Sequence, residues 1–346
     1  MNFQLNRVST TKTSKAPQSN PIMRHNQPDS SIDPNRFHDE GKAMNGTEDG
    51  DAGPSSTLPR RQLGRFLREW REANGFTIAE AAKLVDMSAS SLQRIEAGQT
   101  QKIRKPYVQA LCEMYGVETE DLRAVLDLAA LAKRQSWYHA YGGLYSDAFN
   151  MYVGLEAAAR RLITYHEHIP GLLQTAEYAR AIIGAYPGFS RNEDVDRRVE
   201  YRLKRQTIVT RKTRPVILEV LLHESALHRM IGGPKIMAAQ LRHLAEVSKL
   251  PNVTVRLHPY SAGITWGMPR GSFTVLEFGT NVRDEQVEPP IVYMEGGPTQ
   301  DVYLEKSDEV KLYSELASAI RTSSLEDSPT RELIRRVTKE YEREQD

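Results

Sequence analysis

Residues 76–98 read Phe-Thr-Ile-Ala-Glu-Ala-Ala-Lys-Leu-Val-Asp-Met-Ser-Ala-Ser-Ser-Leu-Gln-Arg-Ile-Glu-Ala-Gly. Two short helices joined by a tight turn account for this run, and each opens on its own hydroxyl. Thr77 caps a helix running to about Leu84, and Ser88 caps a second from Ala89 to about Glu96. A side-chain oxygen at those positions accepts a backbone N–H that the first helical turn leaves without a partner. Ile78, Ala81, Ala82 and Val85 recur at helical spacing, as do Leu92 and Ile95. Ala81 and Ala82 are small enough for the second helix to cross the first closely. The outward face of the second helix (Ala89, Ser90, Gln93, Arg94) is short or polar, and it suits base edges in a major groove.

The flanking segments extend the pattern. Leu63, Phe66, Leu67 and Trp70 fall at i, i+3, i+4 and i+7, which predicts an amphipathic helix over Arg61–Ala73 with Gly75 beyond its end. Pro106 suits the first turn of a fourth helix, whose apolar face is Val108, Leu111 and Met114. After Gly116, Glu120–Leu131 reads as a fifth. Five helices within residues 58–134, together with the Ser-x-Ser-x-Leu-x-Arg-Ile-Glu-x-Gly run at 88–98, resemble the Xre and lambdoid-repressor family. The resemblance implies a lambda-repressor-like, all-α DNA-binding domain in which Arg71 and Glu96 form a structural ion pair. It also places Ala89, Ser90 and Arg94 at the base-reading positions. Arg94 is the strongest of these, since its planar fork matches guanine O6 and N7, whereas Ala89 can only touch a thymine methyl. Ile78 stands where relatives place a polar phosphate contact, so only its backbone N–H remains for that role. Asp86 departs from the glycine usual in the inter-helix turn, but Asp tolerates the left-handed conformation better than most residues.

Two blander readings stand beside DNA binding: a capped hairpin inside a non-binding bundle, and a helix-turn-helix turned to another partner. For Arg94 the bland reading is a surface ion pair. Charge favours DNA. Residues 60–105 hold ten Lys or Arg against five Asp or Glu, while the whole chain of 346 residues balances 46 against 45. Arg60, Arg61, Arg65 and Arg68 lie at the front of this segment, and Lys102, Arg104 and Lys105 follow the second helix. Phosphate neutralisation by such groups supplies most non-specific affinity. The candidate DNA contacts are therefore Thr77, Ser88, Ala89, Ser90, Gln93, Arg94, Lys102, Arg104 and Lys105.

The length allows about two domains with appendages. Cys112 is the one cysteine, so no disulfide framework or cysteine-based zinc site forms within the chain. No apolar run reaches membrane-spanning length and no signal peptide is visible, which predicts a cytoplasmic, nucleoid-associated protein. Residues 1–57 are rich in Ser, Asn, Pro, Thr, Asp and Gly without aliphatic periodicity, and read as a disordered tail or an upstream extension from start-codon choice.

From residue 135 to 346 the pattern predicts one mixed α/β (α+β) domain around a central sheet. Trp137, Tyr138, Tyr141, Tyr145, Phe149 and Tyr152 make an aromatic run that suits a core and a domain junction, with a ligand cage as the alternative. Helices are expected at Thr175–Ala185, from a Ser190/Glu193 capping box to Thr210, from Pro234 to Leu250, and at two C-terminal segments capped by Ser307 and Ser328. Strands are expected at Val216–Leu222, Val253–His258, Ser272–Phe278, Ile291–Glu295 and Val302–Glu305. Several runs in this region resemble the uncharacterised domain that follows an Xre-type helix-turn-helix in actinomycete regulators of the WhiJ-like, antitoxin-like kind. They include Tyr-Val-Gly-Leu-Glu-Ala at 152–157, Ile-Pro-Gly-Leu-Leu-Gln-Thr at 169–175, Glu-Tyr-Ala-Arg-Ala at 177–181, Gly-Gly-Pro at 232–234 and Leu-Pro-Asn-Val-Thr-Val at 250–255.

Catalysis finds no support. His223 and His228, read as i and i+5 on a helix, diverge too far to share a zinc ion. His166-Glu167-His168, read as a strand, sets two histidines on one face, where a core-edge or solvated role competes with metal binding. Gly263–Gly271 reads as a loop carrying apolar side chains. No metal or cofactor is implied, and no phosphate loop or nucleophile elbow is present. The expectation is a sequence-specific DNA-binding regulator of double-stranded DNA, a homodimer, with effector or partner binding in the second domain. The rival is an antitoxin-like protein that neutralises a small partner encoded nearby. Neither residues nor resemblance identify a small-molecule effector.

Overall fold

A computed structural model describes residues 56–344 apart from 101, 134–135, 142–143, 187–191, 266–270, 281–285 and 297–300. The expected tail (through residue 55), Ser190 of the expected capping box and most of the 263–271 loop lie outside the described residues. The N-terminal region is all-α: α1 Thr57–Ala73, α2 Ile78–Leu84, α3 Ala89–Glu96, α4 Lys105–Met114 and α5 Thr119–Ala132. Its core gathers Leu63, Phe66 and Leu67 from α1, Ala81 and Ala82 from α2, Leu92 and Ile95 from α3, and Val108, Leu111 and Cys112 from α4. Each large aliphatic side chain buried this way stabilises the bundle by roughly 1.5–3 kcal/mol.

Helix α1 starts at Thr57, earlier than the Arg61 expected from periodicity. The extension has a tertiary cause. Leu58 belongs to the core of the following domain, and the Ser56 N–H donates to Ser136 Oγ at 2.9 Å. Pro59 is tolerated because the first-turn N–H groups have no helical acceptor.

The second region is built on one six-stranded sheet in the order β3-β2-β1-β4-β5-β6. Its strands are β1 Arg161–His166, β2 Ile217–His223, β3 Val253–His258, β4 Phe273–Glu277, β5 Ile291–Met294 and β6 Val302–Leu304. β1, β2 and β3 are parallel, and β1-β4, β4-β5 and β5-β6 are antiparallel. The sheet thus changes character at β1, a strand the sequence reading recognised only through its last residue. Its burial on both faces removes the alternation that marks a half-exposed strand.

Helices α6 Asp147–Ala158, α7 Ala176–Gly184, α8 Asn192–Thr210, α9 Ser225–His228 and α10 Pro234–Val247 precede α11 Ser307–Ser323 and α12 Asp327–Arg343. Leu162 of β1 faces the core that α6, α10 and α12 complete, while Ile163 and Tyr165 face α11. Side chains alternate across the pleat, so a single strand serves both layers. Among the described residues, no helix is long and apolar enough to cross a membrane.

Four local expectations change. Lys306 and Glu326, without side-chain cap bonds, precede α11 and α12, so Ser307 and Ser328 lie inside the first turns rather than at the caps. His223 ends β2 and His228 ends the short α9, so they share no helix. The strand β1 stops at His166, leaving Glu167 and His168 in the bend that follows. The nearly continuous apolar run Val216–Leu222 predicts a buried strand, yet Ile217 at the start of β2 is exposed.

Candidate nucleic-acid interface

Local chemistry builds the two helices of the candidate reader. Thr77 Oγ1 accepts from the Glu80 N–H at 3.2 Å, and the Glu80 carboxylate accepts from the Thr77 N–H at 2.8 Å, a reciprocal capping box. These bonds hold the Glu80 carboxyl below its ordinary range. Ser88 Oγ accepts from the Ser91 N–H at 3.2 Å. Both hydroxyls are therefore committed to caps, though Thr77 and Ser88 are exposed. Between the helices, Asp86 adopts φ 53°, the left-handed conformation that glycine more often supplies.

Helix α3 is seated by three contacts. Leu92 and Ile95 are buried. Gly64 of α1 lies so close that a Cβ there would come within 2.5 Å of the carbonyl oxygens of Ile95 and Glu96. Arg71 clasps Glu96 with two bonds, Nε to Oε1 at 2.8 Å and Nη2 to Oε2 at 3.0 Å, and also donates to the Phe76 carbonyl. The hydrogen bonds that Arg71 donates to Glu96 outweigh burial and raise the guanidinium's pKa. This fork ties α1, the turn before α2 and the end of α3 into one unit.

On the opposite face Ala89, Ser90, Gln93 and Arg94 are all exposed. Among the described residues, no carboxylate pairs with Arg94. Lys102 and Arg104 are exposed in the link that follows α3, and Lys105, the first residue of α4, is exposed as well.

Arg60, Arg61 and Arg65 of α1 are placed differently from the phosphate cluster expected of them. Arg61 Nη2 meets Glu305 Oε2 at 2.8 Å, and Arg65 meets Glu288 Oε2 at 3.4 Å. Gln62 donates to the Val287 carbonyl at 3.0 Å, and Arg60 to Tyr138 Oη at 3.1 Å. These side chains dock the helical region on the sheet region, with Glu288 almost fully buried. Burial pushes the Glu288 carboxyl upward, against the pull of Arg65 and Arg61. No local signal could have found Glu288, because its partners lie more than two hundred residues away.

The helix-turn-helix domain model matches residues 62–126, and the model described as a domain of unknown function (DUF5753) matches residues 149–336, more than half of the chain. The chain belongs to the DUF5753 family. In this member the family domain follows a DNA-binding helix-turn-helix, and the whole is a DNA-binding regulator of that architecture. Neither a curated protein nor a solved structure matches the chain.

Proposed function

We propose that the chain is a sequence-specific transcriptional regulator that lays α3 in the major groove, with Arg94 reading a guanine and Ser90 and Gln93 beside it. Lys102, Arg104 and Lys105 supply phosphate contacts that position the helix without reading sequence. A single observation carries this reading: the exposed face of α3 ends in an arginine without an ion-pair partner among the described residues, flanked by three exposed cations. Arg61 and Arg65 are assigned to domain docking and not to DNA.

A pair of such readers suits a pseudo-palindromic site, with recognition helices about 34 Å apart, and the active species is a homodimer. The DUF5753 domain is the input end, taking an effector or a small partner protein in the manner its WhiJ-like, antitoxin-like resemblance suggests. It performs no catalysis, and the protein works in the cytoplasm on the nucleoid.

A gel shift on the gene's own upstream region, repeated at rising salt, tests this. Arg94→Ala is expected to relax base preference by about 1–3 kcal/mol at one position. Lys102→Ala is expected to weaken specific and random DNA alike and to reduce the salt slope by about one. Unchanged affinities for Arg94→Ala on matched and mismatched sites sink the base-reading assignment.

A further inference from the structure

A cavity of about 260 Å³ opens in the DUF5753 domain, beside the carboxyl end of β1 where the sheet passes from parallel to antiparallel. It is smaller than the roughly 300–1,000 Å³ typical of drug-sized sites, which sets the scale at a small metabolite. Its walls come from α6, β1, α8 and β5, elements far apart in the chain.

Aromatic rings dominate one wall. Tyr145 and Phe149 lie 4.7 Å apart between centroids, and Tyr152 stacks on Tyr293 at 3.9 Å with their planes 16° apart. All four line the cavity. Such a wall accepts a flat ring, which prefers offset or edge contacts with other rings.

Charge defines the remaining surface. Arg205 and Glu156 satisfy one another through two bonds of 2.9 and 2.8 Å, so this buried pair offers a ligand no net charge. Arg202 differs. It donates to the side-chain oxygen of Gln174 and bonds Tyr145, while its Nε has no partner; no carboxylate among the described residues lies at ion-pair distance, and Glu295 attracts it only from farther off. Two further buried atoms on the same walls, His166 Nδ1 and Tyr293 Oη, also lack partners. Burial, with His168 nearby, pushes the His166 pKa down to about 3, so this ring is neutral and adds no cation. Glu295 and Asp301 line the same cavity, and among the described residues no cation pairs with either. One unpaired guanidinium set against two carboxylates disfavours a polyanion such as a nucleotide. The pattern complements a molecule that carries one charge of each sign.

We propose that this cavity binds a small zwitterion bearing an aromatic ring, the chemistry of a free aromatic amino acid. Its carboxylate sits on Arg202, its ammonium toward Glu295 and Asp301, and its ring among Phe149, Tyr152 and Tyr293. A planar guanidinium favours a carboxylate because two parallel N–H···O bonds form at once. Neutral His166 and the Tyr293 hydroxyl complete the polar contacts. Binding stands on the cavity alone, whereas its use as an effector site rests on the regulator reading above.

Calorimetric titration of the full chain without DNA tests the site. The probes are L-phenylalanine, L-tyrosine and L-tryptophan, then 2-phenylethylamine, which lacks the carboxylate, and 3-phenylpropionate, which lacks the ammonium. At least one amino acid is expected to bind, with both truncated analogues weaker by about tenfold or more. Arg202→Gln is expected to weaken the amino acid by a similar factor and to leave 2-phenylethylamine unchanged. Three results overturn the proposal: no heat with any of the amino acids, equal affinity for the truncated analogues, or undiminished binding to a folded Arg202→Gln variant. If that variant does not fold, the analogue series on the unmodified protein decides. A parallel gel shift separates the two readings: DNA binding without amino-acid binding refutes the cavity site, and the reverse refutes the DNA reader.

Discussion

Gly64 shows how one missing methyl group positions the reader. The clash that a Cβ would make is with the backbone carbonyls of Ile95 and Glu96, which no rotamer change can move aside. Gly64→Ala is therefore expected to push α1 and α3 apart and to cost about 1–3 kcal/mol or more, as overpacking does. Thermal melting measures this, and an unchanged midpoint would show that the helices can separate cheaply. Arg71 and Glu96 act at the same junction, and both are nearly inaccessible to solvent. Removing one partner of such a pair strands the other charge, at a cost of about 3–5 kcal/mol. The caps at Thr77 and Ser88 and the left-handed turn at Asp86 were legible from the residues because each acts within a few positions along the chain. Gly64 was not. In sequence it is a weak helix former between Leu63 and Arg65, and only the neighbouring helix explains it. Cys112 lies in the core of the helical region, where burial pushes its thiol up to about 12 and leaves it unreactive.

Among the elements, the helices came through more clearly than the strands. Ala176–Gly184 and Pro234–Val247 carry a cap or a first-turn proline and an apolar face, and both lie close to their expected spans. β1 carries neither signal, since apolar residues face α10 on one side and α11 on the other. The cover provided by α11 is secured by a carboxylate on β2. Glu219 accepts from Arg321 of α11 at 3.1 Å and from Arg161 of β1 at 3.0 Å. Burial raises its pKa, but the two guanidiniums outweigh that and hold the carboxyl below 4.5. A carboxyl depressed by folding contributes stability that is present above its unfolded pKa and lost as pH falls through its folded one. The melting midpoint is thus expected to decline as pH drops below about 4.5. Glu219→Gln should lower stability near neutral pH and flatten that decline. An identical acid limb in the variant would move the responsible carboxylate elsewhere.

For the whole molecule, the docking of reader on sheet is the decisive feature. Arg61 and Arg65 spend their charge on Glu305 and Glu288, while the start of α1 is pinned by Ser136 and Tyr138. The two regions should then unfold together. Scanning calorimetry of the wild type is expected to show one transition, and Glu288→Gln with Glu305→Gln to split it or lower it, because Arg61 and Arg65 keep their charges but lose their carboxylate partners across the junction, Arg65 retaining only Glu69 of its own helix. A double variant with the wild-type trace would mean that apolar contacts alone hold the regions together.

The two capped helices of the helix-turn-helix and the exposed face of α3 follow from the order of residues alone, since caps, periodicity and turn chemistry are short-range and survive being read along a line. Folding decided the rest. Four arginines at the front of the helical region look alike in sequence, yet those at 60, 61 and 65 serve the domain junction, because the acceptors that claim them arrive from distant segments. The cavity obeys the same logic: Tyr152, His166, Arg202 and Tyr293 gain a shared chemistry only where four separate elements converge beside the carboxyl end of β1. Charge pairing and enclosure depend on through-space distance, and no linear pattern of residues carries that distance.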